Sequence, residues 1–109
     1  MSKEQVMSKI DETVKTNPIV IYMKGTPDFP RCGFSGRAAE ILKSTGRPFA
    51  AVDVLEEEGV WDGIQEYSGW PTFPQIFIGG KLVGGCDIVT EMHQNGDLQR
   101  LIAELPQSV

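Results

Sequence analysis

The chain has 109 residues, 40% of them hydrophobic and 23% charged, with a formal net charge of −5. That length suits one compact domain over residues 1–109, since two domains would leave each too little surface to bury. The acidic balance repels phosphate backbones and argues against nucleic acid, and no apolar run approaches the roughly 18 residues that a membrane span needs. The opening stretch MSKEQVMSKIDETVK is amphipathic and carries both signs of charge, unlike a secretory or transit segment. The whole chain is therefore expected to be mature protein in a cytoplasmic setting.

Residues 4 to 15 place Val6, Met7, Ile10 and Val14 on one face at helical spacing, and Asn17-Pro18 stops that helix. Ile19 to Met23 is a short apolar run of the kind a central strand makes. Lys24 to Arg31, with two prolines and a glycine, must be loop. From about Ser35 to Ser44, Ala38, Ala39, Ile41 and Leu42 form the stripe of a second helix, closed by Gly46 as a left-handed cap. Phe49 to Val54 reads as a strand and Glu56 to Tyr67 as a third helix, with Ile64 and Tyr67 inward.

Gly69 to Pro74 breaks the pattern, and Gln75 to Ile78 and Lys81 to Val83 flank Gly79-Gly80, the chemistry of a two-residue hairpin turn. Gly84-Gly85-Cys86-Asp87 leads into a helix that Asp87 can cap, ending near Asn95-Gly96. Asp97 can cap a last helix holding Leu98, Leu101, Ile102 and Leu105, terminated by Pro106. A parallel first half joined to an antiparallel second half predicts an α/β fold, a four-stranded mixed sheet with helices on both faces.

Two cysteines, Cys32 and Cys86, are too few for a disulfide framework, and His93 is the only histidine. Three such residues cannot close a tetrahedral structural zinc site without a carboxylate, and there is no CxxC or HxxxH pair. A metal bound through sulfur would need ligands from outside the chain.

Cys32-Gly33-Phe34-Ser35 falls between a buried strand and a helix start. A thiol there faces unpaired N–H groups and the positive end of the helix dipole, which favour thiolate; Lys24 and Arg31 add positive charge nearby. Such a thiolate is a nucleophile or a metal ligand, and Pro30, Arg31 and Gly33 argue against a buried packing role. Thiol-exchange sites usually carry a second cysteine three residues on, to resolve the mixed disulfide. Here that residue is Ser35.

Thr72-Phe73-Pro74 precedes an apolar strand, where a proline can be cis or an ordinary turn residue; a cis bond would leave the Phe73 main chain free to pair with an extended peptide. Gly84-Gly85-Cys86-Asp87 offers N–H groups to a carboxylate and Asp87 to an ammonium, although Asp87 can equally be a plain helix cap. Cys86 by itself reads as a packed small residue, His93 as a surface residue, and Glu56-Glu57-Glu58 as acids favoured at a helix start.

Lys24-Gly25-Thr26-Pro27, Cys32 to Ser35, Trp70 to Gln75 and Gly84 to Asp87, in this order and spacing, resemble the monothiol glutaredoxins of the CGFS type over nearly the whole chain. The resemblance implies a thioredoxin-like fold with a cis bond before Pro74. It also implies a glutathione lying across the site. Lys24 would hold its glycine carboxylate, Phe73, between Thr72 and Pro74, would pair with its cysteinyl backbone, and Gly85, Cys86 and Asp87 would meet its glutamyl end. The family places an arginine in the third helix to help with the glycine carboxylate. Trp61 stands at that position here, which leaves the carboxylate to Lys24.

The family's cofactor is a 2Fe-2S cluster. Such a cluster takes four thiolates, so the resemblance implies a homodimer bridged by the cluster, with Cys32 as the metal ligand of each chain and two glutathiones as the others. Implied partners are apo iron-sulfur client proteins and a BolA-like protein. Cluster carriage is the leading expectation, favoured by the long Thr26 to Arg31 loop. The alternative is a glutathione-dependent oxidoreductase in which Cys32 attacks glutathionylated proteins. A third reading is an adaptor acting only through the BolA-like partner.

Overall fold

The computed structural model describes residues 1–106. Helix α1 (Lys3–Thr16) opens on a capping box, with the Ser2 hydroxyl accepting the Gln5 N–H at 3.1 Å and the Gln5 side chain accepting the Ser2 N–H at 2.8 Å. It is followed by β1 (Ile19–Met23), α2 (Gly33–Ser44), β2 (Ala50–Asp53), α3 (Val60–Ser68), β3 (Gln75–Ile78), β4 (Lys81–Gly84), α4 (Cys86–Asn95) and α5 (Asp97–Ala103). The strands form one mixed sheet in the order β2-β1-β3-β4. β1 runs parallel to β2 and antiparallel to β3, and β3 is antiparallel to β4. This is the expected architecture.

All five residues of β1 are buried because the sheet is covered on both faces. Alternation along the strand divides the core in two. Ile19, Ile21 and Met23 face α2, α4 and α5, packing with Ala38, Leu42, Val89 and Leu98. Val20 and Tyr22 face α1 and α3, packing with Val6, Ile10, Val14, Ile64 and Phe77. Met7 and Tyr67, expected inward, are only partly buried at the margin of this second cluster.

Helix boundaries depart from the sequence pattern where backbone, not side-chain periodicity, decides. α2 begins two residues earlier than expected, making Cys32 its N-cap. α3 begins at Val60 rather than Glu56, because Glu56 and Glu57 donate their N–H groups to the Asp53 carbonyl in a turn. Gly59 then sits at φ +76, and a Cβ there would fall 2.9 Å from a Val6 methyl. Gly85 and Gly96, not Asp87 and Asp97, are the N-caps of α4 and α5, so both acids lie in the first turn. α5 ends at Ala103, short of Leu105.

Candidate functional site

β1 delivers the chain to Lys24, and the following loop is a closed hairpin rather than a slack connection. Thr26 and Phe29 exchange main-chain hydrogen bonds (3.3 and 3.1 Å), and the Arg31 N–H donates to the Lys24 carbonyl at 2.9 Å. Gly25 lies at φ +88, where a Cβ would be 2.6 Å from the Phe29 carbonyl oxygen, so a side chain cannot be accommodated without moving backbone. Asp53, at the end of β2, ties the loop to the sheet: its Oδ1 accepts the Gly25 and Leu55 N–H groups, each at 3.0 Å.

The loop returns the chain to Cys32, extended at φ −150 and ψ 135, at the N-terminus of α2. The Ser35 main-chain N–H has the largest influence on its thiol and holds it below the usual cysteine range. Desolvation opposes this, and the Phe34 N–H, the Lys24 ammonium and the Ser35 hydroxyl act in the same direction as the Ser35 N–H. The cation that bears on the sulfur is thus Lys24; Arg31, expected to contribute, does not. Ser35, where a second cysteine would stand, is fully buried, and its Oγ accepts the Lys24 main-chain N–H at 3.2 Å. That hydroxyl joins α2 to the end of β1.

A groove of about 400 Å³ runs past the thiol, with Lys24, Trp61, Thr72, Phe73, Cys86 and Asp87 among its walls. The Phe73–Pro74 peptide bond is cis. Phe73 makes no main-chain hydrogen bond among the described residues, leaving an edge for an extended ligand. Gln75, fully buried, pins the bend before it by donating to the Trp70 and Thr72 carbonyls at 2.8 and 3.2 Å.

Pro74 and Gly85 stand behind the wall rather than in it. A Cβ on Gly85 would approach the Pro74 carbonyl oxygen to 3.1 Å, so the glycine lets α4 start against the cis-proline segment. Cys86 is buried, with its sulfur 3.8 Å from Thr90 Oγ1, while Asp87 is exposed and lines the groove. Both cysteines are free thiols.

Trp61 in place of the family's arginine leaves either a missing charge or a ring that packs over the ligand, and the structure packs that ring on groove residues of the chain itself. The indole packs on Phe73 with ring centroids 4.8 Å apart, and Lys24 Nζ lies 5.4 Å from its centroid. Phe34 and Pro71, which sequence reasoning did not single out, also line the groove. Their signal was membership of the Cys32 to Ser35 and Trp70 to Gln75 segments. Among the described residues no three His, Cys, Asp or Glu side chains gather to hold a metal. This site can present one thiol, a cation, a carboxylate and a free main-chain edge around one groove.

The sheet order, a thiol at the start of the helix after β1 and a cis-proline before β3 define a thioredoxin-like fold. The family model described as Glutaredoxin matches residues 19–83. "Glutaredoxin 4" of Pasteurella multocida (strain Pm70) is 48% identical over 101 residues, covering 93% of each chain. "Monothiol glutaredoxin-S11" of Oryza sativa subsp. japonica is 42% identical over 104 residues, 95% of this chain and 21% of that longer protein. The crystal structure of a buckwheat glutaredoxin-glutathione complex superposes with a TM-score of 0.82 at 28% identity, covering 94% of this chain and 91% of that one. The chain belongs to the glutaredoxin family, in its monothiol branch.

Proposed function

We propose that the chain is a single-domain cytoplasmic cluster carrier: Cys32 and glutathione together hold a 2Fe-2S cluster and pass it to apo-proteins. One observation carries the reading. Cys32 is a lone, partly exposed thiol with a lowered pKa, and it shares one groove with a cation, Lys24, and a carboxylate, Asp87. Glutathione is a tripeptide with carboxylates, an ammonium and a central sulfur, and the groove offers a partner of complementary chemistry for each. Lys24 faces the glycine carboxylate, the Phe73 main chain pairs with the cysteinyl unit, and the Gly85–Asp87 turn receives the glutamyl end, with Thr72, Pro74 and Cys86 shaping the wall. The glutathione in the buckwheat complex supports this ligand.

The donor set fits a cluster only by sharing. With one accessible thiolate per chain, four thiolates require two chains and two glutathiones, hence a cluster-bridged homodimer. The external ligands are exchangeable, which suits handover to client proteins or a mixed complex with a BolA-like partner. Cys32 binds iron as the thiolate, and the Ser35 and Phe34 N–H groups keep it in that form.

The test is anaerobic reconstitution with iron, sulfide and glutathione, followed by visible absorption and iron and sulfide counts. Two irons and two sulfides per dimer are expected, with loss of colour when glutathione is withdrawn. A colourless, iron-free product refutes the reading. The same depressed thiol favours a second activity, attack on glutathionylated proteins with a second glutathione resolving the product. Turnover of a glutathionylated peptide by apo-protein measures it.

A further inference from the structure

Cys32 borders two hollows, and among the described residues it alone is common to both. The first is the groove already described. The second, about 600 Å³, lies between the 24–31 loop and α2, with Arg31, Gly33, Gly36 and Arg37 along it. There is open space at Gly33, where a Cβ would have nothing within 4 Å.

Arg31 and Arg37 are exposed, and among the described residues neither makes an ion pair or a side-chain hydrogen bond. Those pairs use the amino terminus, Lys3, Lys9, Lys15, Lys43 and Arg100 instead. In the same hollow Lys43 stands between Asp28 (3.2 Å) and Glu40 (3.3 Å). Three cations therefore face two carboxylates, a net positive surface on a chain of net charge −5. Phe29 and Phe34, 78% and 63% exposed, stand beside it in the chain. Unpaired guanidiniums next to exposed aromatics are the composition of a protein contact, and their field steers acidic partners.

We propose that this second hollow is the docking face for a polypeptide partner whose own cysteine is flanked by Asp or Glu, held by Arg31 and Arg37 against Cys32. The proposal rests on the preceding reading only in leaving the first groove to glutathione.

The test uses apo-protein and three short cysteine peptides, alike except for acidic, neutral or basic flanks, each activated as its 2-thiopyridyl disulfide. The Cys32 thiolate attacks the peptide sulfur and forms a Cys32–peptide disulfide. The old sulfur–sulfur bond breaks, and thiopyridone leaves with the electron pair and takes a proton from water, which absorbance follows. Peptide mapping assigns the adduct to Cys32. At low salt the acidic peptide is expected to react about tenfold faster than the neutral one, and the basic peptide more slowly. The ratio falls toward one in high salt.

The double variant Arg31→Gln/Arg37→Gln is expected to cut the acidic-to-neutral ratio to about twofold or less while the neutral rate holds. The proposal is overturned by a wild-type ratio near one, by a ratio the double variant leaves intact, or by a variant that slows all three peptides equally. Failure of glutathione to bind the apo-protein, measured separately by calorimetry, would sink the function proposed above without touching the ratio.

Discussion

Replacing Trp61 distinguishes two accounts of how the groove recognises a carboxylate. On charge alone, an arginine there would add a contact to the ligand, a hydrogen-bonded ion pair worth about 1 kcal/mol or less once solvent screens it. The structure sets losses against that gain. The indole is 37% exposed, carries Lys24 Nζ at 5.4 Å, and packs on Phe73 at 4.8 Å. A cation–π contact at an exposed position is worth about 0.5–1 kcal/mol, and an aromatic pair about 0.5–1.5 kcal/mol beyond its buried area. Part of the second figure is felt by the fold rather than the ligand.

Trp61→Ala, which loses the platform under Lys24 and gains nothing, is therefore expected to weaken glutathione binding about two- to fivefold, the equivalent of the cation–π contact alone. Trp61→Arg loses that platform, sets a second cation beside Lys24, and recovers only a screened contact. Its affinity is expected within about twofold of wild type at low salt and below wild type at high salt, where the recovered contact fades. Calorimetric titration of glutathione into the three apo-proteins at two ionic strengths measures both effects. Wild-type affinity in Trp61→Ala, or binding about tenfold tighter in Trp61→Arg, would refute the platform account and restore the missing-charge one.

Cys32→Ser is expected to abolish cluster assembly, whereas Cys86→Ser, which alters a buried wall residue, should retain it; equal loss in both by iron counting would overturn the ligand assignment. Because the Ser35 and Phe34 N–H groups and Lys24 depress the Cys32 pKa, alkylation by iodoacetamide should reach half its plateau below the pH of a free cysteine. Lys24→Gln should move that midpoint upward by removing one of the charges that favour thiolate, and an unmoved midpoint would show that the ammonium is not felt at the sulfur. Ser35→Ala leaves the buried partner of the Lys24 N–H unmade and should cost about 1–3 kcal/mol in denaturant unfolding. Gly25→Ala, which combines φ +88 with a contact of 2.6 Å to backbone oxygen, should cost about 1–3 kcal/mol or more, visible as a lowered thermal midpoint.

Much of this protein is legible in the chain because periodicity records burial directly. The run Ile19 to Met23 identified the central strand, Gly79-Gly80 the hairpin, and the spacing of Val6, Ile10 and Val14 the covered face of α1. The place of Cys32 between a strand and a helix, and of Ser35 where a second cysteine would stand, was legible in the same way. Helix starts were less legible. Glu56 to Glu58 and Asp87 have the composition of helix openings, but local hydrogen bonding to Asp53 and the glycine at position 85 set the boundaries.

What only the tertiary structure decided are relations between residues far apart in sequence, for which no local pattern exists. Asp53 holds the loop at Gly25, 28 residues away, through a single carboxylate oxygen. Trp61 lies under Lys24 and against Phe73, which turns an apparent absence of charge into a platform. The two hollows that meet at Cys32 arise because the loop folds back along α2 on one side, while α3, the cis-proline segment and α4 converge on the other. Hydrophobic spacing determines which face of an element is buried, but the distance between two side chains on different elements follows from how those elements pack, and that is where the ligand-facing geometry of this site was set.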